Sequence, residues 1–106
     1  MKYLKSYETK YVVMVKQDDD YDFIGFFEMY GVFSNLKKAN KCANALQTAI
    51  RVLVSDFKKT NDKSFVKDKA INQFGILNNT IVNEVVSSLS SMYEINVYVE
   101  KTKLFN

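Results

Sequence analysis

Histidine, proline and tryptophan are absent from these 106 residues, and cysteine and arginine occur once each. Without histidine the chain lacks the commonest general base and the commonest metal ligand. Serine–histidine and cysteine–histidine mechanisms are therefore excluded within it. The lone Cys42 allows neither an internal disulfide nor a thiolate metal cluster. Small secreted domains are more often stapled, so a reducing compartment is expected. The first ten residues, MKYLKSYETK, lack the apolar run of a secretory leader. The longest wholly apolar runs, such as Tyr11–Val15, fall far short of the ~20 residues of a membrane span. A cytoplasmic chain without membrane association, cofactor or bound metal is the expectation.

What is present suffices for a core. Hydrophobic residues make up 47% and charged residues 25%, the balance of an ordinary globular domain, and residues 1–106 read as one such unit. Eight Phe and seven Tyr supply much of the material to be buried.

Tyr11–Lys16 is β-branched and aromatic and predicts a strand. Gln17–Asp22 reads as a polar turn, and Phe23–Phe33 as a second strand pairing back as a hairpin. Both strands carry apolar residues on both faces, which predicts central strands or a sheet covered on its second face. Gly25 and Gly31 mark bulges or close approaches.

A long helix then runs from about Ser34, its expected cap, to Lys59. Leu36, Ala39, Ala43, Leu46, Ile50, Leu53 and Phe57 alternate at spacings of three and four, a stripe about 100° wide. The stripe is a core face by default; a coiled-coil seam is the alternative. After a polar stretch, Thr60–Ser64, a short helix is expected over Phe65–Phe74 with Gly75 as its stop. Asn79 or Thr80 caps a third, whose apolar positions run from Ile81 to Met92. From Tyr93 to Glu100 apolar and polar residues alternate, which predicts a last strand. The order β-β-α-α-α-β predicts an α+β fold: a small antiparallel sheet of hairpin plus C-terminal strand, with the helices packed on one face.

Net charge is +3 but unevenly spread. Asp18, Asp19, Asp20 and Asp22 fall in one short stretch, without which the remainder carries +7. Clustered carboxylates can bind Mg²⁺ or Ca²⁺, or meet a basic partner surface; they also simply favour turns. The calcium-loop spacing is missing. Lys37, Lys38 and Lys41, with Lys58, Lys59 and Lys63, form a candidate basic surface for a partner or for phosphates. A single arginine argues against base reading. Tyr3 and Tyr7 among Lys2, Lys5 and Lys10 offer base stacking, or simply pack on a sheet edge. Cys42, at the margin of the stripe, is either a thiol activated by nearby lysines or a small filler. Glu8 and Lys10 have a nuclease-like spacing without a second placed carboxylate.

In its Lys, Asn, Tyr, Phe and Ile content, its size and its lack of catalytic groups, the chain resembles small accessory and inhibitor proteins of phages and mobile elements from AT-rich bacteria. The Gly31-Val32-Phe33-Ser34 entry into the helix resembles the ββα opening of several small bacterial and phage domains. The resemblance implies a non-enzymatic protein-binding module in the host cytoplasm, of the kind that inhibits a defence or nucleic-acid-processing protein. A lysine-rich nucleic-acid-binding accessory domain is the alternative expectation. A metal-dependent enzyme using Asp18–Asp22 is the third. A homodimer through an open sheet edge is compatible with each.

Overall fold

A computed structural model describes residues 7–18, 24–76, 78–89 and 94–105. The elements are β1 (Tyr7–Asp18), β2 (Ile24–Phe33), α1 (Leu36–Thr60), α2 (Lys63–Asn72), α3 (Asn79–Ser88) and β3 (Glu94–Phe105). The fold is α+β, with one antiparallel sheet in the order β2-β1-β3.

The strand order corrects one expectation. Only β1 is central; β2 is an edge strand although it is apolar on both faces. The strand β1 also takes in Gln17 and Asp18, which the sequence pattern assigns to a turn. Alternation along β1 sends Tyr11, Val13 and Val15 toward the helices, with Val13 and Val15 fully buried. Ile95, Val97 and Val99 of β3 join them on that face.

Strand β2 reaches the same arrangement only through an inserted residue. Val13 pairs with Gly31 but Met14 pairs with Met29, so Tyr30 is the extra residue of a bulge. Tyr30 and Phe33 are an odd number apart, and strict alternation would place them on opposite faces. With the bulge, both pack on the helix side. Gly31 fits there because a Cβ at this position would lie 3.2 Å from Cε2 of Phe33. A second register shift falls between Gln17 and Asp18, where Gly25 is the extra residue. Both glycines thus sit at bulges.

Helix α1 lies on the helix-side face of β1 and β3, burying Ala39, Ala43, Leu46, Ala49, Ile50 and Leu53. The stripe is therefore core, and no coiled-coil seam remains for those residues. Leu36 departs from it: as the first helical residue it stays 47% exposed. Each helix begins on an Asx cap whose side-chain oxygen accepts the N–H three residues on. Asn35 accepts from Lys38 at 3.2 Å, Asp62 from Phe65 at 3.1 Å and Asn78 from Ile81 at 3.1 Å. The caps at Asn35 and Asn78 replace the expected Ser34 and Asn79 or Thr80. Adjacent polar residues compete for a cap, and the one with extended backbone just before the first turn takes it.

Between α1 and α2 the expected polar stretch shrinks to Asn61 and Asp62. Asn61 turns left-handed at φ 52° and donates its N–H to the Phe57 carbonyl at 2.7 Å. Helix α2 consequently starts at Lys63 and ends at Asn72, two residues earlier at each end than its pattern suggests. Gly75, at φ 67°, terminates it as expected, and Ile76 donates back to Ala70 at 3.0 Å. Asp56 of α1 and Lys69 of α2 form an ion pair that joins the two helices. Helix α3 ends at Ser88; Met92, and Tyr93 at the expected start of the last strand, lie outside the described residues.

Leu53→Ala is expected to cost ~3 kcal/mol, because the emptied space is enclosed on every side by core residues. Leu36→Ala, at the exposed start of the same stripe, is expected to cost under ~1 kcal/mol. Urea denaturation of the two variants checks the contrast.

Candidate functional site

With the helices on one side, the second face of the sheet is covered by none of the described elements. Val12, Met14 and Lys16 of β1 point to it, since they alternate with the buried Val13 and Val15. Val12 pairs with Val32 and Met14 with Met29, so these β2 residues share that face. Met29 is 50% exposed and Val32 45%. Met14 is only 7% exposed although no helix covers it. Its cross-strand partners are Met29 and Tyr98. The Lys16 ammonium lies 5.4 Å from the centroid of the Tyr98 ring, a cation–π contact at the β3 side of the patch. Glu100, opposite Val12, is exposed on the same side. The result is a small apolar surface with a charged margin.

Gln47 carries a different role. Its side-chain amide donates to the Ile95 carbonyl at 3.2 Å and accepts from the Val97 N–H at 2.8 Å. These groups lie on the edge of β3 that β1 does not use. The amide thus stands in for one residue of a neighbouring strand and fills that edge at its most buried point. Nothing in the sequence marks Gln47, because the signal is a pairing across 48 to 50 residues of chain. Beside it a groove of about 420 Å³ separates α1 from the start of β3. Arg51 and Lys58 line one wall and Glu94 the other, so it has no single sign of charge.

The sequence-derived lysines are exposed but divide into two groups. Lys37, Lys38 and Lys41 lie in the first two turns of α1. Lys58, Lys59 and Lys63 gather at the α1–α2 junction. At 1.5 Å per residue the groups are ~30 Å apart along the helix. Arg51 lies between them and is exposed. Asp18 ends β1; Asp19, Asp20 and Asp22 lie outside the described residues, as do Tyr3, Lys2 and Lys5. Among the described residues no three acidic, cysteine or histidine side chains converge as metal ligands would.

Cys42 is half-buried and packs beside Val13, Ala39 and Ala43. It faces a cavity of about 170 Å³ shared with Tyr30, Ala45, Ala49, Phe74 and Ile76. Burial pushes its thiol above the usual range, the reverse of activation by lysine. Burial also raises the Tyr30 hydroxyl, with the neighbouring Cys42 thiolate a lesser cause. Of the two readings of Cys42, the small filler fits its setting: Lys38 and Lys41 are exposed, while Cys42 packs toward the sheet.

No helix among the described residues is long and apolar enough to cross a membrane. No protein-family model, curated protein or solved structure matches the chain.

Gln47→Ala is expected to destabilise the fold by ~1–3 kcal/mol, the cost of leaving two backbone groups without their partner. Exchange of the Val97 amide should accelerate more than that of amides on β1, as read by hydrogen–deuterium exchange. Cys42 should alkylate more slowly in the folded chain than in urea near about pH 8, with the gap closing as pH rises. Because ionisation of this thiol favours the unfolded chain, stability should decline as pH climbs past the ordinary thiol range.

Proposed function

We propose that the chain is a non-enzymatic protein-binding module that docks a partner on the open face of its sheet. The observation that carries this reading is the exposure of Met29 and Val32, side by side with Val12 and Met14, on a face the helices do not cover. Each apolar Å² removed from water there contributes about 25 cal/mol. Methionine suits such a surface, because its unbranched thioether adapts to the contour it meets. Lys16, Tyr98 and Glu100 supply the polar rim that gives a contact its register. The backbone beneath the patch belongs to β1, paired on both sides, and to β2, paired with β1 on one, so docking on the face is chiefly a matter of side-chain burial. A partner so bound has its own surface blocked, which is all that a small inhibitor of the kind the composition resembles must do.

The test is capture of a partner by the tagged chain, compared with the double variant Met29→Glu/Val32→Glu. Placing two carboxylates in the patch is expected to weaken the complex by about 30-fold or more, the scale of a single hot spot. Asn83→Glu, exposed on α3, should leave it unchanged. Capture that survives the double variant would overturn the reading. A particle of twice the monomer mass in light scattering, reduced to monomer by the double variant, would assign the face to a second copy instead.

A further inference from the structure

A separate surface has the opposite character. Six cations (Lys37, Lys38, Lys41, Arg51, Lys58, Lys59) against the single Asp56 give α1 a net +5, while the whole chain carries +3. The rest of the protein is therefore net −2, and the positive charge of the molecule resides in one helix. Asp56 does not dilute it, since it turns to the α2 flank and pairs with Lys69. At 100° per residue Lys37, Lys41, Thr48, Arg51, Ser55 and Lys59 fall within an arc of about 80°. That arc lies opposite the buried Leu46 and Leu53, and all six are exposed.

We propose that this face of α1 binds the phosphate backbone of double-stranded DNA without regard to base sequence. Three features point to that occupant. The face is basic or neutral along its length, and nothing on it repels a polyanion. Between its charged ends it offers Thr48 and Ser55, short hydroxyl donors of the kind that contact phosphate oxygens. It carries no apolar anchor within the arc, so a protein partner would find no core to bury, whereas a phosphate backbone needs none. From Lys37 to Lys59 the helix spans ~33 Å, close to the ~34 Å of one duplex turn, so both ends reach phosphates of the same molecule. Lysine dominates, and a lysine ammonium acts on phosphate as a point charge rather than reading base edges. Exposed Lys63 and Lys67 on α2 continue the surface past the junction. The proposal does not rest on the protein-docking reading of the sheet, which uses the other layer of the molecule.

Fluorescence anisotropy of the full chain with a labelled duplex of about 30 base pairs tests it. If Lys37, Lys41, Arg51 and Lys59 each neutralise a phosphate, log K against log salt should have a slope of about −3.6. Affinity should then fall ~150-fold between about 50 and about 200 mM KCl, equally for two unrelated sequences. The decisive comparison keeps net charge constant. Lys37→Glu/Lys59→Glu removes charge from the helix face, and Lys101→Glu/Lys103→Glu removes as much from exposed positions on β3. The first double variant should lose about 30-fold or more and the second under about threefold. Equal losses in the two would overturn the proposal, as would no binding at about 25 mM KCl. Tighter binding to poly-glutamate would replace DNA with an acidic protein as the occupant, and tighter binding to duplex RNA would replace it with RNA.

Discussion

Leu46, Ile50 and Leu53 of α1 close over Val15 of the central strand, while Ala39 and Ala43 let the start of the helix come down onto Val13. Everything else is arranged around that contact. Small residues at the first two turns and larger ones further along set how the helix lies on a twisted sheet. Once α1 is seated, its flank brings Gln47 to the backbone of β3, and Asp56 reaches Lys69 to hold α2. The same contact decides what is left over. It consumes one face of the sheet and one stripe of the helix. The two surfaces facing away from it are the apolar patch of β1 and β2 and the basic arc of α1.

Those two surfaces lie on opposite layers of a thin molecule, whose extents are 62 × 33 × 20 Å. A protein held on the sheet and a duplex held on the helix would not compete for space. If both proposals hold, the chain would bridge a protein partner and a duplex.

Periodicity makes the core legible in the amino-acid sequence. The three-four spacing of the stripe and the two-residue alternation of Ile95, Val97 and Val99 report burial directly, because each element repeats its inward direction at a fixed interval. Gly25 and Gly31 signal the bulges for a related reason, since a missing side chain in an apolar strand asks for an explanation. The caps fall one residue away from their expected places, at Asn35 beside Ser34 and at Asn78 beside Asn79, because neighbouring side chains are equally able to accept the hydrogen bond. The open patch is harder to see. Apolar residues on both faces of β1 and β2 suggest two covered faces, and a strand cannot state locally whether a second layer exists. Met29 and Val32 therefore look like core by pattern alone. Gln47 leaves no local trace, and Arg51 stands out in the sequence only as the lone arginine, without a place on a surface.

The bulge at Tyr30 and Gly31 gives β2 two phases within one strand. Residues 26–29 and 31–33 alternate on different parities, reconciled at Tyr30. A change of length is therefore read differently in β2 than in β1. Loss of the extra residue would leave Gly31 opposite Val13 and Met29 opposite Met14, so the bulge would vanish while every pair on either side kept its partner. Among related chains, a single-residue gap should therefore be absorbed at this point, whereas in β1, which carries no extra residue and is paired on both sides, a gap would turn the residues on one side of it to the other face. Where a gap falls in β1, the residues on one side of it should have exchanged polarity with their neighbours, which would leave a record of the two faces readable from an alignment alone.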